Sequence, residues 1–297
     1  MDPEILPAAA CHWPLIRALS GLAVSAEPAV QHGYIAVMDQ GGERRLAGAG
    51  LVRAEGSGAA AWVAVAEPWR RRGIGRALFA ATAGSARTRG ATRMGVWQGV
   101  SEHSGREFCA RLGLAHTDSV ETFETTLADA ESFFGSYYRR FAERGSLPSN
   151  LASVCGDEID WPPFQALLEH EFGPAMAARL GRIAAFGLLP NEWASALWAG
   201  ARPVAVTLGK LANGAIYTDA YAVMPEFRLG WAHIASKYLV IRDLRARHPQ
   251  IATYRFSAAR RHGDTRKAAY LGGQKGFWQR LLQVEHIYEF DLAPEHG

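Results

Sequence analysis

The stretch "EPWRRRGIGRALF", residues 67–79, sets three arginines against Gly73-Ile74-Gly75 and then starts an apolar helical pattern. Ile74, Ala77, Leu78 and Ala81 recur at helical spacing, and the pattern runs to about Arg89. Just before it, "AAAWVAVAE" (59–67) reads as a strand. A strand that ends in a glycine turn and opens a helix presents free backbone N–H groups and the positive end of the helix dipole, which together make an anion cradle. Arg70, Arg71 and Arg72 would add charge-assisted bonds to phosphate oxygens, and the missing Cβ atoms of Gly73 and Gly75 predict close approach of a diphosphate to the backbone.

Two common phosphate loops do not fit. A Walker A loop needs Gly-Lys-Ser/Thr, which is absent, and a dinucleotide fingerprint needs glycine where Leu78 stands and an acidic residue about 20 positions on. Nothing acidic lies between Gly75 and Glu102.

Working outward, "GYIAVMD" (33–39) and "RRLAGAGLVRAE" (44–55) read as strands ahead of the loop. Behind it come a strand at 92–98, a short helix at 105–114 closed by Gly113, and a strand at 121–127. Residues 129–150 read as a helix that breaks into Gly, Ser, Pro and Asn, a linker. The order then repeats. Two strand-like runs flank Asn213-Gly214, a hairpin signal; a helical pattern follows Gly230 to Pro249; and a strand at 252–258, a helix at 265–277 and a strand at 285–292 close the chain. The predicted division is therefore 1–128, a helical linker 129–150, and 151–297. At 297 residues, two domains of ordinary size are expected.

Arg70-Arg71-Arg72-Gly73-Ile74-Gly75 matches the Gln/Arg-x-x-Gly-x-Gly/Ala loop of the Gcn5-related N-acetyltransferase (GNAT) superfamily, and Leu112-Gly113-Leu114 resembles its second signature. The resemblance covers about residues 30–128. It implies an α/β (α+β) fold of two tandem GNAT domains, each a mixed central sheet flanked by helices, on the two-domain plan of mycothiol synthases. It also implies an acetyl-CoA or other acyl-CoA site: the diphosphate on Arg70 to Arg76 (Arg70, Arg71, Arg72, Gly73, Ile74, Gly75, Arg76), the pantetheine arm along the preceding strand at Val63 and Val65. In the second half, Glu226-Phe227-Arg228-Leu229-Gly230-Trp231-Ala232 resembles the same loop, with Phe227 in place of the first Arg or Gln and Trp231 between Gly and Ala. That half is expected to be degenerate, shaping the acceptor site.

Acyl transfer to an amine needs a neutral amine and a proton for the departing thiolate. The family's usual tyrosine acid falls on Cys109, so Cys109 is either a donor in its place or a small buried side chain. Glu67 and His103 are candidate bases, with Glu102 an alternative and Gln98 able only to orient a substrate. In "AIYTDAYAV", alternation places Tyr217, Asp219 and Tyr221 on one face, a carboxylate between two phenols suited to a cationic amine substrate or to ordinary cross-strand pairing. Arg255, Arg260, Arg261, His262, Arg266 and Lys267 form a basic stretch, either a solvated loop or a site for an anion. Phe133, Phe134, Tyr137, Tyr138 and Phe141 recur at helical spacing, an apolar stripe expected to join the halves.

Composition bounds the rest. With 48% hydrophobic residues, 21% charged and a net charge of +3, the chain reads as globular, and its charge balance does not require nucleic acid. No secretory pattern or long apolar run stands out, so a cytoplasmic protein without membrane contact is expected. Cys11, Cys109 and Cys155 have no metal-site spacing, and no metal is expected. The sequence thus predicts an N-acyltransferase acting on a small-molecule amine. An aminoacyl-tRNA-dependent transferase of tandem type and a noncatalytic coenzyme-binding or carrier-interacting module are the rivals. The acceptor, the acyl group and the oligomeric state are not legible in it.

Overall fold

The computed structural model describes residues 3–20, 32–55, 58–97, 99–228, 230–259, 270, 273, 274 and 276–292. They form two compact units, Met1–Ser119 with Glu285–Gly297, and Val120–Val284.

The first unit contains β1 (Glu4–Pro7), α1 (Trp13–Ser20), β2 (His32–Gln40), β3 (Glu43–Glu55), β4 (Gly58–Val65), α2 (Ile74–Thr88), β5 (Arg93–Val96) and α3 (His103–Arg111). β6 (Ala115–Thr126) begins here and ends in the second unit. The second unit continues with α4 (Leu127–Glu143), β7 (Leu151–Cys155), α5 (Pro162–Phe172), α6 (Pro174–Phe186), β8 (Glu192–Ala199), β9 (Arg202–Ala212), β10 (Ala215–Val223), α7 (Trp231–Arg247) and β11 (Thr253–Ala259). β12 (Arg280–Asp291) starts in the second unit and finishes in the first.

Each unit has the same strand pattern. In the first, β1 to β4 pair antiparallel, β4 and β5 pair parallel, and β12 pairs antiparallel with β5 through Glu289↔Gly95. In the second, β7 to β10 pair antiparallel, β10 and β11 pair parallel, and β6 pairs antiparallel with β11 from Val120 to Thr126. The strand beyond the parallel pair therefore comes, in each unit, from the other half of the sequence. For this reason the compact units differ from the linear division 1–128 and 151–297.

Local chemistry explains several boundaries. Asn213 and Gly214 both have positive φ (+49° and +68°), the geometry a two-residue hairpin turn requires. Thr126 caps α4, its hydroxyl accepting the Asp129 N–H at 3.0 Å. In the first unit, Ile74 and Leu78 of α2 are buried against Ala36, Met38 and Ala47. In the second, Phe164 and Leu168 of α5 are fully buried on the face that presents Ala196, Val206 and Leu208, and each such side chain contributes about 1.5–3 kcal/mol.

The opposite face of the second unit carries α4 and α7. Phe133 and Phe134 pack with Phe277, and Tyr138 packs against Tyr238 at a tilt, with centroids 4.7 Å apart. The helix expected as a linker is thus part of the second unit's own packing, and these stripe residues serve its core. Helices α1, α5 and α6 were not foreseen. Of the helix expected at 265–277, most residues lie outside those described, as do Arg260, Arg261, His262, Arg266, Lys267, Gln98 and Leu229.

Candidate functional site

In the first unit, β4 and β5 pair from Gly58↔Arg93 to Ala61↔Val96, and the Trp97 N–H closes on the Ala61 carbonyl at 2.7 Å. β4 then runs on to Val65. Because alternate residues of a strand turn their N–H and C=O to the same side, Val63 and Val65 present theirs where Ala61 does, beyond the end of the pairing. A cleft of ≈ 280 Å³ opens at this place, walled by Trp62, Val63, Phe79, Val96, Phe108 and Cys109, with Ser101 and Glu102 also lining it.

The arginine turn leads into α2, whose Phe79 lines this cleft. A 3₁₀ turn, Glu67–Trp69, leads to Arg71 at φ +64° and Gly73 at φ +79°. Such left-handed steps are the kind of turn that gathers backbone N–H groups into an anion-binding concavity. A non-glycine residue held there costs of order 1–3 kcal/mol. Among the described residues, no side chain caps α2, and its hydrogen-bond ladder begins with the Ala77 N–H on the Gly73 carbonyl at 3.1 Å, so the N–H groups of Ile74, Gly75 and Arg76 precede it.

The two glycines differ in role. A Cβ at Gly73 would meet nothing within 4 Å, leaving the backbone open to a ligand, whereas one at Gly75 would lie 3.0 Å from Phe108 Cε2 and 3.6 Å from Val65 Cγ2. The space where a Cβ would sit at Gly75 belongs to the Phe108 ring, so a side chain there would press on the cleft wall.

The three arginines are held differently as well. Arg70 Nε donates to the Val65 carbonyl at 3.2 Å; Arg71 reaches Glu107 at 3.4 Å; Arg72 lies over the Trp69 ring at 5.0 Å. Glu107 also meets Arg111 and His103, each at 3.1 Å. The Arg71 hydrogen bond, against a smaller opposing effect of burial and with help from Arg111 and His103, holds the Glu107 carboxyl below its usual range. Sequence reading missed this carboxylate, although its i, i+4 spacing to His103 and Arg111 was visible.

Of the candidate catalytic residues, Cys109 lines the cleft, 5% exposed, with its thiol pushed up to about 11 by burial. His103 is exposed and paired to Glu107, and Glu67 is exposed at the start of the 3₁₀ turn; neither is among the cleft's lining residues. A further carboxylate, Glu285 of β12, packs against Gly99 of the cleft wall, and burial pushes it up. It went unforeseen because it is remote in sequence.

The next residue, His286, ties the wall together. Its backbone forms a bridge with Val100, N–H to O distances 2.9 and 3.0 Å, while its ring meets Arg106 at 3.4 Å, Ser119 at 3.3 Å and His116 at 3.3 Å. Burial, then Arg106 and His116, lower its pKa. The folded state therefore resists the proton that the unfolded chain accepts at about 6.5, and stability falls as pH drops from there toward the lowered value. In urea unfolding between pH 7.5 and 5.5, the wild type should lose more midpoint than His286→Gln; parallel losses would refute this.

In the second unit, the expected face of Tyr217, Asp219 and Tyr221 is split. The β9–β10 register shifts between Thr218 and Ala220, so Asp219 occupies a bulge. Ile216 faces the α7 side before it, whereas Ala220 and Ala222 face α5 and α6 after it. Asp219 meets Arg179 at 3.2 Å and Lys210 at 3.5 Å, and Tyr217 accepts a hydrogen bond from Arg255. Tyr221 instead turns to α7, bonding His233 at 3.0 Å. The carboxylate meant for a cationic amine is thus already balanced by two cations of the chain itself. Arg255, from the basic stretch, also pairs with Glu124 at 2.8 Å.

Residues 14–114 match the model of the acetyltransferase (GNAT) family. The fold is the tandem GNAT fold. It is similar over 99% of this chain and 100% of the other to a tandem GNAT protein from the clavulanic acid biosynthesis pathway, with 17% identity and a TM-score of 0.66. It is also similar to a GCN5-related N-acetyltransferase from Sphaerobacter thermophilus (13% identity, 95% and 86% coverage, TM-score 0.57). A third likeness is to a glucosamine N-acetyltransferase region of a fungal multi-domain β-N-acetylglucosaminidase (10% identity, 97% of this chain and 38% of that one, TM-score 0.67). No curated protein matches the sequence. Among the described residues, no helix is long and apolar enough to cross a membrane.

Proposed function

We propose that this chain is an acyl-CoA-dependent N-acyltransferase that moves an acetyl or other short acyl group to an amine of a small molecule, with its donor site in the first unit. The observation that carries the reading is that the first turn of α2 lies against the cleft wall: a Cβ at Gly75 would sit 3.0 Å from Phe108, which lines the ≈ 280 Å³ cleft beyond the β4–β5 pairing. The residues fit the group: the N–H groups of Ile74 to Arg76 and the exposed Arg71, Arg72 and Arg76 suit a diphosphate, and the edges of Val63 and Val65 suit an amide-bearing arm. Acyl-CoA would supply an activated thioester.

Phe79, Val96 and Phe108 give the cleft an apolar wall that would keep water from an acyl group bound against it. Glu102, the carboxylate among the cleft's described lining residues, would take up the amine's proton; Glu67 and His103 stand behind it as alternatives. Cys109 would return a proton only uphill, since a thiol held at about 11 is a weaker acid than an ordinary thiol at about 8.5. That observation favours the noncatalytic coenzyme-binding module as the second reading. The three free cysteines accord with a reducing compartment, and the proposal places the protein in the cytoplasm.

Calorimetric titration of the whole chain with acetyl-CoA, and separately CoA, should give one site per chain, and thiol release should then follow addition of an accepted amine. Binding without turnover across amine classes would favour the noncatalytic module. No binding would overturn both.

A further inference from the structure

The second unit has its own parting of strands. β10 and β11 pair from Ala215↔Thr253 to Thr218↔Phe256, after which both continue, and a small cavity of ≈ 40 Å³ lies between them. It is the positional counterpart of the larger cleft in the first unit. A space of this size exceeds what one water needs, about 10–15 Å³, and admits a group of only a few heavy atoms.

Among the described residues, two charged side chains line it, Asp219 and Lys237. Asp219 is matched by Arg179 and Lys210. Lys237, half-buried on α7, has its Nζ 4.0 Å above the Tyr221 ring; among the described residues, no hydrogen bond or ion pair reaches that nitrogen. Burial pushes its pKa down to about 8. A half-buried ammonium with an aromatic face on one side and open space on another is a site of unbalanced positive charge. The nearby hydroxyls are engaged elsewhere: Thr218 with Tyr254 at 2.7 Å and Ser257 with Thr122 at 3.0 Å. The remaining lining is apolar, with Phe172, Phe256 and Ala258. One cation, apolar walls and little room suit a singly charged carboxylate with a short tail better than a doubly charged phosphate.

We propose that the cavity between β10 and β11 binds a small carboxylate, its charge met by Lys237 Nζ. Binding would supply a counter-charge that no described residue provides, at a site in the second unit, whereas the proposed donor site belongs to the first. Acetate and propionate are the probes, titrated at constant ionic strength against chloride. Reductive methylation of the intact protein at pH 8, followed by peptide mass spectrometry, should show Lys237 labelled at least fivefold more slowly at saturating acetate, with the chain's other lysines unaffected. Acetate should also raise the thermal midpoint of the wild type but not of Lys237→Met, whose side chain keeps the contact with Tyr221. The inference fails if protection is absent, if it extends equally to all lysines, if inorganic phosphate protects as well as acetate, or if Lys237→Met keeps the acetate response.

Discussion

Gly75→Glu should weaken acetyl-CoA binding by at least about 100-fold, equivalent to about 2.7 kcal/mol. The substituted Cβ would lie 3.0 Å from Phe108 Cε2, so the ring must move, and Phe108 is part of the cleft wall. The new carboxylate would also sit in the first turn of α2 and compete for the N–H groups proposed to hold the diphosphate. An acidic residue at a helix start stabilises the helix, so the fold should survive the change.

Gly75→Ala separates the two effects. It brings the same 3.0 Å contact without the charge, and a smaller loss is expected. The matching control is Gly230→Glu at the start of α7. Its Cβ would meet nothing within 4 Å, but φ there is +118°, so the variant should cost about 1–3 kcal/mol of stability and leave acetyl-CoA affinity unchanged. Calorimetry on the three variants decides the matter: undiminished affinity in Gly75→Glu would remove the donor site from α2.

Why this turn was legible in the sequence, and much else was not, follows from the range of the interactions involved. The loop from Arg70 to Gly75 and the turn at Asn213-Gly214 are dictated by a few adjacent residues, and the strand-and-helix order around them follows local periodicity. The exchange of β6 and β12 between units is a long-range pairing. Nothing in "ETFETTL" or "EHIYEFDL" marks β11 or β5 as its partner. The bulge at Asp219 is equally silent: alternation alone put Tyr217, Asp219 and Tyr221 together, and one inserted residue sends Tyr221 to the opposite face. The cleft wall was half visible. Val63 and Cys109 came with the family resemblance, while Glu285 reaches Gly99 only because the chain's last strand returns to the first unit.

The bulge itself sets up the largest expected loss of stability. Gly209 of β9 lies opposite Thr218, next to the register shift, and a Cβ there would sit 2.0 Å from the Tyr217 carbonyl oxygen and 2.3 Å from Trp193 Cζ2. Neither neighbour can yield cheaply. The carbonyl belongs to a central strand, and Trp193 is buried in the core that holds Ile216 and Tyr254. Gly209→Ala should therefore cost about 3 kcal/mol or more, at the upper end of overpacking effects, and lower the urea midpoint accordingly. Gly181→Ala is the counter-experiment. In the interior of α6, with nothing within 4 Å of the added methyl, the same chemical change should stabilise by about 0.5–1 kcal/mol. Opposite signs from one substitution type would show that close approach at the bulge, and not glycine's backbone freedom, decides residue 209. If Gly209→Ala unfolded at the wild-type midpoint, β9 and β10 could not be in this register. The split of Tyr217 and Asp219 from Tyr221 would then fall, and with it the cavity beside Lys237.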